Sequence, residues 1–446
     1  MATTLFDSAI FRDAFGSDAM RAVFSDETFV ARATDVEVAL AAAQGRLGII
    51  PKAAADDIAR LARSRPLDLA KLKTETDLVG YPIVGLVHQL VALCGDAGRY
   101  LHWGATTQDI MDTATVLQVR DALALVEADL ERIAKALAAL ARKHRDTVMA
   151  GRTHLQHALP TTFGLKAAIW LSMVDRHRQR LSELRPRVLV GQFGGAAGTL
   201  ASLGTQGLAV HDALIDELSL GRSAVPWHVA RDNMAETVSL LGLIAGTLGK
   251  IATDVMLMMQ TEVGEAFEPF VSGRGASSTM PQKRNPISCE LILAAGKVVR
   301  QQAGLMLDGM LADHERATGP WHVEWIALPQ AFIATSGALK QATFMLEGLI
   351  VDAQRMQKNL ALTGGLIVAE AVMMALAEHT GRAVAHDLVY GACRRALDKG
   401  TTLLVQLEAE PEVTRHLDDR RLAELVDPSR YLGSTQAMID RVLANR

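Results

Sequence analysis

The segment Gly273-Arg274-Gly275-Ala276-Ser277-Ser278-Thr279-Met280-Pro281-Gln282-Lys283-Arg284-Asn285-Pro286 sets adjacent hydroxyls and three cations among turn-forming residues. Such a stretch can act as a mobile anion-binding loop. Its free backbone N–H groups and Lys283 would hold a carboxylate while Ser277 handles a proton. By composition alone it is also an ordinary surface loop. A second candidate is His154, in Gly151-Arg152-Thr153-His154-Leu155-Gln156-His157, just before Pro160. Imidazole suits proton transfer near neutral pH, and a structural histidine is the plainer account. The His154/His157 spacing hints at a metal, but no Glu stands at the HExxH position and no third ligand accompanies the pair, so no metal is expected.

Three further segments carry polar chemistry. In His102-Trp103-Gly104-Ala105-Thr106-Thr107-Gln108-Asp109, Thr or Asp caps the helix that follows, and the same free N–H groups and helix dipole would receive a substrate carboxylate. His314-Glu315-Arg316, followed by Trp321-His322-Val323-Glu324-Trp325, reads as a charged loop or as a second carboxylate clamp through Arg316. Gly191-Gln192-Phe193-Gly194-Gly195-Ala196-Ala197-Gly198-Thr199 lacks both the GxGxxG spacing and the Gly-Lys-Ser/Thr ending of a nucleotide loop. Close packing or a turn near the site is its expected role.

These segments must be positioned by helices. Apolar residues at Val119, Leu123, Val126, Leu130, Ile133, Leu137 and Leu140 recur in steps of three and four, the mark of one long amphipathic helix. A second series from Met234 to Met259 is apolar nearly all round, as befits the centre of a bundle. Gly242, Gly246 and Gly249 within it suggest a close neighbouring helix. The proline-free intervals Pro160 to Pro186, Pro226 to Pro269, Pro286 to Pro320 and Pro329 to Pro411 leave room for long helices. Strand-like alternation is almost absent. The expected fold is all-α in three parts: residues 1–110, a central long-helix bundle at 111–363, and a helical part at 364–446 that begins at the Gly364-Gly365 pair.

Composition narrows the function classes. Of 446 residues, 49% are hydrophobic and 22% charged, which excludes general disorder. A formal net charge of -4 argues against a nucleic-acid binder working through bulk positive charge. Cys94, Cys289 and Cys393 are widely separated and form no CxxC pair, which fits a reducing cytoplasm. Asp7, Arg12 and Asp13 interrupt the apolar N-terminal stretch, against a signal peptide, and no uninterrupted apolar run reaches the roughly 18 residues of a membrane span.

Together the segments resemble the fumarase/aspartase superfamily, whose signature is close to Gly-Ser-Ser-x-Met-Pro-x-Lys-x-Asn. Here it stands as Ala276 to Asn285, with Ala276 in place of the usual Gly. The stretches His102 to Asp109 and Gly151 to Pro160 match the other two family regions in order and spacing. Within the superfamily, Gln192 to Thr199, His314 to Arg316, Trp321 to Trp325 and the opening Leu5-Phe6-Asp7 with Phe24-Ser25-Asp26 resemble the 3-carboxy-cis,cis-muconate cycloisomerase branch.

The resemblance implies a homotetramer whose central helices form one core, with each active site assembled from three subunits. It also implies a small polycarboxylate substrate, no cofactor, and a carbanion beside a carboxylate. Ser277 is expected to transfer the proton, with His154 second. His154 pairs with Glu290 in the family, a carboxylate that would fix the imidazole tautomer. Lys283, Asn285, Ser278, His102, Thr106, Thr107, Arg152 and Arg316 are the expected substrate-binding residues. Because His154 and Glu290 are also kept by eliminating lyases, a fumarate-releasing C–N lyase acting on an N-substituted aspartate such as adenylosuccinate stays open. So does a non-catalytic scaffold of the same fold.

Overall fold

The computed structural model describes residues 4–444 and is all-α apart from two small two-stranded sheets. The chain divides into two compact units. One comprises the described residues up to Glu131 with Arg176–Gly249 and Glu290–Gln341, and the other Arg132–Asp175, Lys250–Cys289 and the described residues from Ala342 onward.

The long helix read from the sequence runs Thr107–Lys143. Its apolar series from Val119 to Leu137 is fully removed from water, because steps of three and four return every 3.6 residues to one face. The second series forms the helix Asp232–Met259. Among unbroken helices of the described residues it alone is long and apolar enough to cross a membrane, and half of that apolar window is buried inside the chain. Leu243 and Leu257 are left exposed. A Cβ at Gly242 or Gly249 would stand 3.6 Å from Ala303 or 3.5 Å from Leu293, and one at Gly246 would meet nothing within 4 Å. The close approach expected at these glycines is therefore not required within one chain. Pro329 also departs from expectation: it lies inside the helix Pro320–Glu347 rather than ending one.

In the first unit, the helix Asp26–Arg46 starts at Ser25, whose side chain accepts the Thr28 N–H, and Asp26 and Glu27 favour the positive end of its dipole. It buries Val30, Ala33, Val36, Ala43 and, less usually, Glu37 and Gln44. Arg231 is buried between Asp112 and Glu324 and lies over the Trp227 ring, its charge met on both sides.

The second unit contains the main departure from helix, the antiparallel hairpin Val148–Thr153 with Gln156–Thr162. Its two-residue turn, His154-Leu155, has φ of 50° and 64°, the left-handed pair that matches strand twist in tight hairpins. A register shift lies between Ala150 and Arg152. Gly151 occupies it because a Cβ there would come within 2.7 Å of the Leu159 carbonyl. The C-terminal helices enclose a separate apolar cluster around Val372, Leu376, Val389, Leu403, Leu407 and Leu422.

Candidate active site

In the first unit, His102, Thr106, Thr107 and Arg316 come together around the start of the Thr107–Lys143 helix. Thr106 is the residue before the helix, and its N–H donates to Asp109 Oδ2 at 3.0 Å, the backward half of a capping box. Asp109 is fully buried and does more than cap. It also accepts the N–H of Gly194 at 2.8 Å, the N–H of Gly195 at 2.9 Å, and lies 2.8 Å from His228 Nε2. One carboxylate thereby ties the glycine-rich segment to the Thr106 turn. Arg316 Nη2 donates to the Ala196 carbonyl at 2.9 Å, and its Nη1 lies 3.4 Å from Thr106 Oγ1. A guanidinium, a threonine hydroxyl and a helix N-terminus thus share one partly exposed surface, a suitable receptor for a carboxylate.

His102 is held from beneath. Its backbone N–H donates to Glu37 Oε2 at 3.0 Å, and its Nδ1 lies 2.6 Å from Glu37 Oε1. Burial lowers the His102 pKa, but the hydrogen bond and charge of Glu37 and the charge of Asp109 outweigh it and hold the ring above its ordinary value. Gln44, two turns further along the same helix face, donates to the Trp103 carbonyl at 2.7 Å.

The second unit carries the serine loop and the hairpin. Ser277 Oγ accepts the N–H of Met280 at 3.0 Å and of Thr279 at 3.3 Å. Two backbone donors on one hydroxyl oxygen favour negative charge there. Ser278 and Lys283 are exposed. Asn285 closes the neck of the loop: its N–H and its side-chain amide each donate to the Gly275 carbonyl at 3.1 Å. Gly275 has φ of 70°, and a Cβ there would come within 2.7 Å of the Asn285 carbonyl. Arg284 donates to the Glu268 carbonyl and lies against the rings of Phe267 and Phe270, so this cation of the loop is committed to holding its base.

Arg152 is likewise engaged within the chain. Its Nη1 and Nη2 form a forked pair with Glu265 at 2.8 and 2.7 Å, and Glu265 is wholly buried. Asn359 Nδ2 donates to the same carboxylate at 2.8 Å. His154 sits exposed at the hairpin turn. Glu290, in the first turn of the helix Ile287–Asp308, is exposed and belongs to the first unit. No group of three or more His, Cys, Asp or Glu among the described residues is placed to hold a metal ion.

Glu37, Glu265 and His228 are absent from the sequence reading, and Asp109 enters it only as a cap. One signal was available: Glu37 and Gln44 are seven residues apart within an otherwise Ala- and Val-rich helical stretch, where isolated polar groups must find partners.

Comparison with known proteins adds the family. Residues 14–300 match the Lyase family, and residues 365–442 match the adenylosuccinate lyase C-terminus family. Trans-aconitate decarboxylase 1 of Mycosarcoma maydis is 51% identical over 442 residues, covering 99% of this chain and 90% of that protein. A 3-carboxy-cis,cis-muconate cycloisomerase of Pseudomonas aeruginosa is 48% identical over 447 residues, covering 99% and 96%. The crystal structure of a fumarate lyase from Mesorhizobium sp. BNC1 is 57% identical with a TM-score of 0.93, covering 97% of this chain and 99% of that one. With its serine loop, His154 hairpin and Thr106 turn in the expected order on an all-α frame, the chain belongs to the lyase family of the fumarase/aspartase superfamily.

Proposed function

We propose that the protein is a cycloisomerase that converts 3-carboxy-cis,cis-muconate to 4-carboxymuconolactone, a step of aromatic-acid degradation. The observation that carries this reading is the 48% identity to a 3-carboxy-cis,cis-muconate cycloisomerase over nearly the whole of both chains. One carboxylate of the substrate adds to its own double bond, a C–O bond forms, and the adjoining carbon takes a proton, so the product is an isomer. Electron density builds beside a second carboxylate as the ring closes, and stabilising it is the main catalytic task.

Ser277 is the proton-transferring group in this scheme. The N–H groups of Thr279 and Met280 on its Oγ support it, since they lower the cost of the alkoxide. His154, with Glu290 as its family partner, is the second candidate. Thr106, Thr107, His102 and Arg316 bind one carboxylate, and Lys283, Ser278 and Asn285 bind another. Arg152, forked onto Glu265, steadies the hairpin that carries His154. Lyases of this superfamily process small carboxylates and are typically oligomeric, and we read this chain as a cytoplasmic homotetramer. Leu243 and Leu257, exposed on the apolar Asp232–Met259 helix, support burial of that helix against other copies.

The 51% identity to a trans-aconitate decarboxylase favours a second reading, in which the protein decarboxylates trans-aconitate. Purified protein decides between them when assayed in three arms: loss of the conjugated diene of 3-carboxymuconate, carbon dioxide from trans-aconitate, and fumarate from adenylosuccinate, argininosuccinate or aspartate. Activity in the first arm alone is expected. Turnover confined to another arm replaces the cycloisomerase with that activity, and silence in all three revives the scaffold.

A further inference from the structure

We propose that Glu37 is a positioning residue that holds His102 as an imidazolium, so that the Nε2–H of His102 binds a carboxylate of the substrate. The inference rests on the polycarboxylate reading above and adds to it a residue, and a charge state, that the family motifs do not contain.

The geometry is unusual for a surface turn. His102 has φ of 56°, a left-handed conformation that a non-glycine residue adopts only when its surroundings hold it. Glu37 supplies that hold twice, through the backbone N–H at 3.0 Å and through Nδ1 at 2.6 Å. A carboxylate with no exposure to water, placed by the helix Asp26–Arg46, is a rigid acceptor. Because Glu37 accepts the Nδ1–H, Nε2 is left as the ring nitrogen that can meet a ligand, and among the described residues it has no hydrogen-bond partner.

Two carboxylates face the ring and favour its cationic form. Glu37 faces it from the Asp26–Arg46 helix and Asp109 from the start of the Thr107–Lys143 helix, and both raise its pKa against the opposing effect of burial. Arg316, bonded to Thr106, is the other cation of this cluster. An imidazolium and a guanidinium around a helix N-terminus make a receptor for a carboxylate, and the two buried acids favour the charged form of the ring.

The test is binding rather than turnover. Isothermal titration calorimetry with propane-1,2,3-tricarboxylate is run on the full chain from pH 7 to pH 9, where this ligand keeps its full charge. Wild type should bind about tenfold more weakly at the upper end, the scale of one charge-assisted hydrogen bond. Glu37→Gln should already be weak at pH 7 by about the same factor and nearly flat above it, because its imidazole is neutral throughout. Glu37→Asp should recover part of the slope. In steady-state assays Glu37→Gln should raise KM more than it lowers kcat. Melting curves of each variant separate loss of fold from loss of charge.

A Glu37→Gln profile parallel to wild type overturns the proposal, as does a wild-type profile with no slope, or no tricarboxylate binding by wild type at any pH. If the ligand binds with the expected slopes but 3-carboxymuconate is not turned over, the cycloisomerase reading fails and the role of Glu37 stands.

Discussion

Asp109 Oδ1 lies 2.8 Å from His228 Nε2, and both side chains are out of contact with water. The same carboxylate accepts the N–H groups of Gly194, Gly195 and Thr106, so one acidic side chain fixes three loops at once. Its role is organisational: the Thr106 turn and the backbone that receives Arg316 are both registered on it.

Replacing that carboxylate should therefore damage stability before chemistry. Asp109→Ala leaves two buried N–H groups and an imidazole without their acceptor, at about 3 kcal/mol or more in total. Asp109→Asn keeps an acceptor oxygen and should lose less. Urea unfolding monitored by circular dichroism measures both. Equal stability of Asp109→Ala and wild type would remove Asp109 from this organising role.

For Ser277 the expectation is the opposite, a folded but slow enzyme. The Ser277 side chain is held by its own loop, so Ser277→Ala should leave the melting temperature nearly unchanged and lower kcat by about two to three orders of magnitude. Lys283→Ala should raise KM and slow the chemical step as well. Kinetics of Ser277→Ala within a few-fold of wild type would assign the proton to another group, and unchanged kinetics of Lys283→Ala would place the cation elsewhere.

The forked pair of Arg152 with Glu265 predicts a third phenotype. Glu265→Ala leaves the Arg152 guanidinium and the Asn359 amide without a shared acceptor in a buried setting, which costs about 3 kcal/mol. Hydrogen exchange should show faster opening of the hairpin Val148–Thr153 with Gln156–Thr162, with activity falling in parallel. Unchanged exchange in the hairpin would mean that it is held by other contacts.

Acid sensitivity should trace in part to His177. Burial, aided by the charges of Arg180 and Arg176, lowers its pKa from the ordinary 6.5 to about 4, and its Nε2 lies 2.8 Å from Thr247 Oγ1. The folded protein keeps this ring neutral, whereas the unfolded chain binds a proton below pH 6.5. Its contribution is therefore fully present above that pH and is lost as the pH falls toward about 4, at about 1.4 kcal/mol per unit. His177→Gln should flatten the decline by about 2 kcal/mol between neutrality and pH 5. Parallel stability curves for the two proteins would show that His177 is not an acid sensor.

Local physics made the helices legible. The series from Val119 to Leu137 needs only a 3.6-residue period and a dry face, and every member is buried as that period requires. The hairpin was not legible for the same reason in reverse: the register shift at Gly151 breaks the two-residue alternation, and the strands hold together through contacts on both sides of a turn that the residue types alone do not announce. Pro329 reads as a helix end but lies within a helix, because packing can hold a helix together across a missing donor.

What the amino-acid sequence determined by itself is the chemistry on offer and its frame: a hydroxyl-rich cationic loop, an imidazole before a proline, a capped helix start, and long helices to carry them. Those features follow from residue type and short-range spacing. Only the tertiary structure decided which acid serves which group. Glu37 lies 65 residues from His102 and Glu265 lies 113 from Arg152. No local rule selects one carboxylate among the 50 acidic residues of this chain, because a partner at that separation is chosen by the packing of whole helices. Burial then set the strength of these pairings, since a carboxylate that is a minor neighbour in water acts far more strongly on its partner once solvent is excluded.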